Sequence, residues 1–181
     1  MKEIRIHARA GQGAITTASL LGEAYFSKGM YPYAFPSFGA ARMGAPMNAF
    51  VRVDSKPVRL RSQIYEPDYV IVQDPTLIGS VDVFAGLKKG GMVLINTEKS
   101  LNELKLKDVS NVKTIPATKI ALEILGRPIP NTVMLGAFAG LTGSVSMEGI
   151  KKAMKGRFKG EIADKNIAAA EKAYNDIKKK I

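Results

Sequence analysis

The sequence contains no cysteine and no tryptophan, and it has a single histidine, His7, among 181 residues. Without cysteine the chain cannot form disulfides, and it lacks the thiolates that iron–sulfur clusters and most structural zinc sites require. A lone histidine inside a predicted strand is more often packed or hydrogen-bonded than catalytic. No Gly-x-Ser-x-Gly elbow is present to build a hydrolase triad with it. We therefore expect no metal site and no catalytic residue on this chain.

Long hydrophobic runs are also missing. No segment approaches the roughly 18 to 20 apolar residues that a membrane-spanning helix needs, and residues 1–4 lead into a strand pattern instead of a signal peptide. These features predict a cytoplasmic protein with no membrane contact. With 46% hydrophobic residues in 181, the chain can bury a substantial core, and we expect one domain over residues 1–181.

Negative charge is in short supply, which leaves a formal net charge of +11. Such an excess suggests nucleic-acid binding as one alternative, because clustered lysine and arginine side chains bind phosphates. However, much of the excess lies at 151–159 and 178–180, in segments whose pattern is typical of surface helices. Solvated helix faces, together with an acidic partner protein or an anionic cofactor, account for the charge better, and we expect no nucleic-acid partner.

A strand, a glycine turn and a helix follow one another near the N-terminus. Residues 4–7 alternate like a short strand, and residues 15–26 carry apolar side chains at helical spacing. Gly11 and Gly13 lie between them, where the backbone turns tightly and can approach a partner closely. Their amides and the helix start predict an anion-binding site, although a structural turn without a ligand would show the same pattern.

A nicotinamide-dependent dehydrogenase is a second interpretation of this turn. The dinucleotide fingerprint has a third glycine and an acidic residue about 20 residues further on. Here Thr16 occupies the third position, and the next predicted strand ends without a carboxylate. Both departures weaken the interpretation as a free-standing dehydrogenase.

The remaining pattern predicts an α/β fold with three layers. Apolar or alternating runs predict strands at 31–35, 47–53, 69–72, 91–96 and 112–115. Residues 58–60 are expected to return as the antiparallel hairpin partner of 47–53. Short helices are expected near 77–80 and 83–87. Four further helices are expected from residue 117 onward. Thr118 and Asn131 are the predicted N-caps of the first two of these four, and Ser146 lies at the start of the third. We thus predict a mostly parallel sheet with an antiparallel hairpin addition and C-terminal helices.

Four motifs, in order and spacing, resemble a known family. They are Arg-Ala-Gly-Gln-Gly-Ala at 9–14, Phe-Pro-Ser-Phe-Gly at 35–39, Arg-Met-Gly-Ala-Pro at 42–46 and Ala-Phe-Val-Arg-Val at 49–53. Together they resemble the gamma subunits of 2-oxoacid:ferredoxin oxidoreductases, most closely those of the pyruvate enzymes (pyruvate synthases). One departure is the sequence Ala-Ala-Arg at 40–42, where the family usually has a Pro-Glu-Arg-like segment.

The resemblance implies a role within a larger complex. Alpha, beta and delta type subunits would hold thiamine diphosphate and the iron–sulfur clusters, and the complex would convert a 2-oxoacid to acyl-CoA and CO2 while reducing ferredoxin. The gamma chain is associated with the coenzyme A side of this reaction. Its candidate phosphate-binding residues are Arg9, Gly11, Gln12, Gly13 and Arg42. Enzymes acting on 2-oxoglutarate, branched-chain or indolepyruvate substrates remain alternatives to a pyruvate enzyme.

Overall fold

A computed structural model describes residues 1–37, 42–104, 106 and 109–180, so residues 38–41 of the predicted motifs lie outside it. The described strands are β1 (Lys2–Arg9), β2 (Tyr31–Ser37), β3 (Pro46–Asp54), β4 (Tyr69–Val72), β5 (Met92–Asn96) and β6 (Val112–Ile115). The described α-helices are α1 (Ala14–Phe26), α2 (Leu101–Leu104), α3 (Ala117–Leu125), α4 (Asn131–Thr142), α5 (Met147–Arg157) and α6 (Gly160–Lys178).

The strands form a mixed, mostly parallel sheet in the order β2-β3-β1-β4-β5-β6. β1, β4, β5 and β6 are parallel neighbours, whereas β3 is antiparallel to both β1 and β2. The prediction of a mostly parallel sheet with an antiparallel addition is confirmed, but the predicted pairing of residues 47–53 with residues 58–60 is wrong. β3 already has β1 on one side and β2 on the other, so residues 58–60 have no free edge to join and are irregular.

Five helices, α1 and α3–α6, pack together on one face of the sheet. α4 has an almost entirely apolar sequence and is buried almost all round, with its side chains in the core that the sheet and helices share. Gly136 and Gly140 of α4 allow α6 to approach closely, because a Cβ at either position would meet α6 backbone at Ala170 or Tyr174. The C-terminal helices predicted from the sequence are thus confirmed, and α4 lies at the centre of their packing.

The opposite face of the sheet is covered mostly by irregular chain. Residues 75–77 form a 3-10 turn and residues 83–86 form turns, so the two α-helices predicted near 77–80 and 83–87 are wrong. Two buried arginines of the sheet hold the segment 58–66 instead. Arg5 donates to the carbonyl of Ile64, and Arg52 donates to those of Ser62 and Gln63, at 2.6 and 3.0 Å respectively.

The predicted helix starts were only partly correct. The N-cap of α3 is Pro116, two residues before the predicted Thr118. Thr118 lies within the helix, and its hydroxyl accepts a hydrogen bond from Asn96. α4 begins at Asn131 itself, with Pro130 in the N-cap position. Ser146 is the predicted N-cap of α5, and its hydroxyl accepts a hydrogen bond from Gly149 N–H at 3.0 Å.

His7 is packed and hydrogen-bonded, as its strand position predicts. Its Nε2 accepts a hydrogen bond from Arg5 Nε at 3.0 Å. Burial, and then the nearby charge of Arg5, lower the pKa of His7 to about 4. The imidazole is therefore neutral at physiological pH and acts as an acceptor for Arg5.

Candidate functional site

The predicted anion-binding turn forms where β1 ends and α1 begins. We call residues 9–13 the glycine corner. Gly11 and Gly13 have φ values of 100° and 77°, in the left-handed region that glycine tolerates best. Gly13 occupies the N-cap position of α1 and has no side chain with which to cap the helix. The sequence prediction of strand, tight turn and helix is therefore confirmed.

The first turn of α1 leaves backbone donors available at the corner. Within the described part of the chain, the N–H groups of Ala14, Ile15 and Thr16 have no hydrogen-bond acceptor, and the first α1 amide to find one is that of Thr17, which donates to Gly13 at 2.9 Å. Gly11 and Ile15 are exposed. Free first-turn amides at the positive end of a helix dipole are well suited to bind an anion.

Gln12 links the glycine corner by hydrogen bonds to the residues that directly follow β4. Its side-chain Oε1 accepts a hydrogen bond from Arg9 N–H at 2.8 Å, and its Nε2 donates to Asp74 Oδ2 at 2.6 Å. Its backbone carbonyl accepts from Gln73 Nε2 at 3.1 Å. The backbone N–H of Gln12 donates to Arg9 O. Because the oxygen and the nitrogen of the side-chain amide are both hydrogen-bonded as well, Gln12 sets the shape of the turn.

Arg9 lies along the same edge of the sheet. Its Nε and Nη2 donate to Thr76 Oγ1 at 3.1 and 3.0 Å, and its Nη1 donates to the carbonyl of Gly44. Its Nε is also 3.4 Å from Asp74 Oδ2. Burial acts to raise the pKa of Asp74, but hydrogen bonds from Thr76 and Gln12 and the charge of Arg9 outweigh it, so that pKa is lowered. Asp74 stays ionised and orients Arg9.

Arg42 belongs to a turn that packs beside the corner. Gly44 N–H donates to the carbonyl of Ala10 at 3.0 Å, and Ala10 N–H donates to that of Ala45 at 2.9 Å. Arg42 itself is exposed, and its guanidinium makes no hydrogen bond to any of the described residues. The structure thus brings all five predicted residues to one region, and their role in holding phosphate stays a prediction.

Polar residues that follow the parallel strands complete the site, and sequence reasoning did not single out most of them. Gln73, directly after β4, accepts a hydrogen bond from Thr17 Oγ1 at 2.8 Å. Asn96, the last residue of β5, donates to Gln73 O and Thr118 Oγ1 at 2.8 and 2.7 Å. Ligands in open α/β sheets bind at the carboxyl ends of the strands. The sequence signal that could have identified these site residues was therefore their polar character directly after the apolar runs that end at Val72 and Ile95.

Asn131 closes the inner side of the corner. A Cβ at Gly13 would lie 2.6 Å from Asn131 Nδ2, so a larger residue at position 13 is excluded by both its φ and this side chain. A cavity of about 340 Å³ reaches Asn131 from the side of α6 and the segment that connects α3 to α4. The corner is therefore open to solvent at Gly11 and bounded on the inside by the start of α4.

Other kinds of site find no support in the described residues. No cluster of three or more histidine, aspartate or glutamate side chains could hold a metal ion there. None of the helices in that part of the chain has the length and apolar character needed to cross a membrane. The binding of an anion by the backbone amides and arginines of the corner stays a prediction.

Comparison with known proteins agrees with the resemblance. Residues 3–175 match the model of the family described as pyruvate ferredoxin/flavodoxin oxidoreductase. The chain is 56% identical to pyruvate synthase subunit PorC of Methanocaldococcus jannaschii, over 99% of both chains. It is 54% identical to the pyruvate/ketoisovalerate oxidoreductases common subunit gamma of Pyrococcus furiosus, over 96% of both chains.

Two solved structures share the fold. The pyruvate oxidoreductase subunit PORC of Thermotoga maritima superposes with a TM-score of 0.86 at 40% identity, covering 96% of this chain and 95% of that one. A 2-oxoglutarate:ferredoxin oxidoreductase of Magnetococcus marinus gives a TM-score of 0.77 at 21% identity, covering 99% of this chain and 31% of that longer one. The chain belongs to the pyruvate ferredoxin/flavodoxin oxidoreductase family, as one of its gamma-type subunits.

Proposed function

We propose that this chain is the gamma subunit of a multisubunit pyruvate:ferredoxin oxidoreductase and that its glycine corner binds the phosphates of coenzyme A. Alpha, beta and delta type subunits would carry thiamine diphosphate and the iron–sulfur clusters. They would decarboxylate the 2-oxoacid, pass the electrons to ferredoxin and transfer the acyl group to coenzyme A. The proposal treats residues 1–181 as one gamma domain in a cytoplasmic complex.

The observation that carries the coenzyme A proposal is the row of unpaired N–H groups at Ala14, Ile15 and Thr16 beside an exposed Gly11. Coenzyme A carries a pyrophosphate and a 3′-phosphate, and such groups bind well at helix N-termini. Arg9 retains guanidinium N–H groups beyond those bonded to Thr76 and Gly44. These could donate to a phosphate without breaking the contacts that position the side chain.

Two of the related proteins support this assignment. The Pyrococcus furiosus chain is named as a gamma subunit common to the pyruvate and ketoisovalerate oxidoreductases. A subunit that is shared by enzymes acting on two 2-oxoacids does not determine 2-oxoacid specificity. It is therefore suited to bind coenzyme A, the substrate that both reactions have in common. The Magnetococcus marinus enzyme, which contains a region of this fold, was solved with coenzyme A bound.

The name of the Pyrococcus furiosus relative favours ketoisovalerate as a second 2-oxoacid for an enzyme that contains this chain.

The proposal is tested by assembling the chain with its alpha, beta and delta type partners and assaying pyruvate, ketoisovalerate, 2-oxoglutarate and indolepyruvate. We expect coenzyme A-dependent ferredoxin reduction with pyruvate, and none from the isolated chain or from the partners without it. Full coenzyme A-dependent activity in the absence of this chain would contradict the proposal.

A further inference from the structure

An irregular segment, residues 58–66, lies on the face of the sheet that the helices leave uncovered, and two buried arginines hold it there. Arg52 donates to backbone carbonyls of this segment at 2.6 and 3.0 Å, and Arg5 donates to another at 3.3 Å. We call residues 58–66 the anchored segment. Side chains of the sheet fix its conformation, and a surface that is ordered before binding loses little entropy when a partner binds.

The largest side chains that the anchored segment exposes are apolar or cationic. Leu60 is 48% exposed and Tyr65 is 70% exposed, and Arg59 and Arg61 are exposed as well. Tyrosine and arginine are enriched at protein–protein interfaces, and the burial of a half-exposed leucine against a partner is favourable. Such side chains on a firmly held segment are typical of a docking surface.

Arg61 extends the anchored segment over strand β2. Its guanidinium lies 3.9 Å from the centre of the Tyr33 ring, and its Nη1 donates to Val58 O at 3.2 Å. Gln63 Nε2 donates to Ser37 Oγ at 2.8 Å. The guanidinium thus covers one face of a ring that could otherwise stack on a nucleic-acid base. It also has further N–H groups that can donate to a carboxylate.

The charge in this region is of one sign. Residues 55–65 contain three cationic side chains and no carboxylate. The three are Lys56, Arg59 and Arg61. Asp54, directly before them, binds the N-terminal ammonium group at 3.1 Å, and Glu66 is the first carboxylate after them. In the part of the chain that the structure describes, none of the three cations forms an ion pair. Such a surface is complementary to a partner that presents carboxylates.

The strand beneath Arg61 is at an edge of the sheet, but it is a poor template for a further strand. β2 pairs with β3 and has no strand on its other side among the described residues. Its residues Pro32 and Pro36 lack the N–H donors that an added strand would use. A partner on this side of the molecule is therefore expected to contact side chains instead of extending the sheet.

We infer that the anchored segment is an assembly surface, on which another subunit of the oxidoreductase complex docks. That subunit places carboxylates against Arg59 and Arg61 and an apolar pocket over Leu60 and Tyr65. The inference rests on the proposed function, because only a chain that works within a complex has such a subunit as its neighbour. Binding energy at protein interfaces is concentrated in a few residues, so single changes in the segment are sufficient to weaken assembly.

The test is to co-express the chain with its partner subunits, with an affinity tag on the alpha-type subunit, and to measure how much chain is recovered per tagged subunit. We expect Leu60→Asp and Arg61→Glu each to lower this recovery at least about tenfold, because each brings a carboxylate to a surface that meets carboxylates. Leu122→Asp is the matched control. Leu122 is 56% exposed on α3, and its replacement should change the recovery less than about twofold. Unchanged melting temperatures of the isolated variants establish that they fold.

Recovery of the Leu60→Asp and Arg61→Glu chains equal to that of the unaltered chain would overturn the inference and leave the proposed function standing. Failure to recover the unaltered chain with the tagged subunit would contradict the proposed function, and the inference with it. Two other occupants have their own signatures in the isolated chain. A dimer that Leu60→Asp dissociates would assign the segment to a second copy of the chain. Binding of single-stranded DNA that Arg61→Glu abolishes would assign it to nucleic acid. Either result, combined with unchanged recovery, would overturn the inference.

Discussion

Replacing Arg52 with methionine is expected to lower the free energy of unfolding of the chain by about 3 to 5 kcal/mol, because it breaks a buried charge pair and leaves several acceptors unpaired. The Arg52 side chain is buried, with the residue 1% exposed. Its Nε donates to Glu3 Oε1 at 2.8 Å, and its other nitrogens donate to the carbonyls of Ser62 and Gln63. Methionine fills a similar volume but donates to none of them.

Urea unfolding of the full chain measures this change, and Arg59→Met is the matched control. Arg59 is exposed, so its replacement should alter the free energy of unfolding by less than about 0.5 kcal/mol. Hydrogen exchange should also accelerate in residues 58–66 of the Arg52 variant, because the guanidinium holds that irregular segment on the sheet. An unfolding free energy within error of the unaltered chain would show that the segment is held by other contacts.

Replacing Gly136 with alanine is expected to destabilise the chain by about 3 kcal/mol or more, despite the better helix propensity of alanine. A Cβ at position 136 would overlap the backbone carbonyl of Ala170 and lie 2.7 Å from its Cα. These are backbone atoms of α6, so relief requires the two helices to separate and opens the core that α4 fills. The loss should appear as a lower midpoint in urea unfolding.

Gly156→Ala provides the control for helix propensity. Gly156 lies within α5, where a Cβ would meet no atom closer than Glu23 Oε2 at 4.0 Å. This variant should gain up to about 1 kcal/mol from the propensity of alanine alone. If both alanine variants were stabilised equally, the close approach of α4 and α6 at Gly136 would not be a packing constraint.

The glycine corner could be predicted because its determinants are contiguous. Strand alternation, two glycines and helical spacing all fall within residues 4–26, and each favours the same local structure. The fold class followed from the same kind of evidence, since buried strands such as 69–72 are local apolar runs. The family motifs then extended the prediction to a function that no single residue could indicate.

The partners of the corner could not be predicted because they come from distant parts of the chain. Gln12 bonds Asp74, 62 residues away, and Asn131 reaches Gly13 only because α4 packs against α1. The error over residues 58–60 has a similar origin. A hairpin is a local expectation, but β3 was already paired on both edges, and the buried donors of Arg5 and Arg52 held the returning chain on the face of the sheet instead.

The most direct test of the account is the KM for coenzyme A of the assembled complex carrying Thr16→Glu. A glutamate in the first turn of α1 favours the helix dipole but places a negative charge beside the amides proposed to hold phosphate. We predict an increase in KM for coenzyme A of at least about tenfold, equivalent to about 1.4 kcal/mol, with KM for pyruvate and the melting temperature maintained. Thr16→Gln, which has the same shape without the charge, should change KM for coenzyme A less than about twofold. An unchanged KM for coenzyme A in the Thr16→Glu complex would contradict the binding of coenzyme A at the glycine corner.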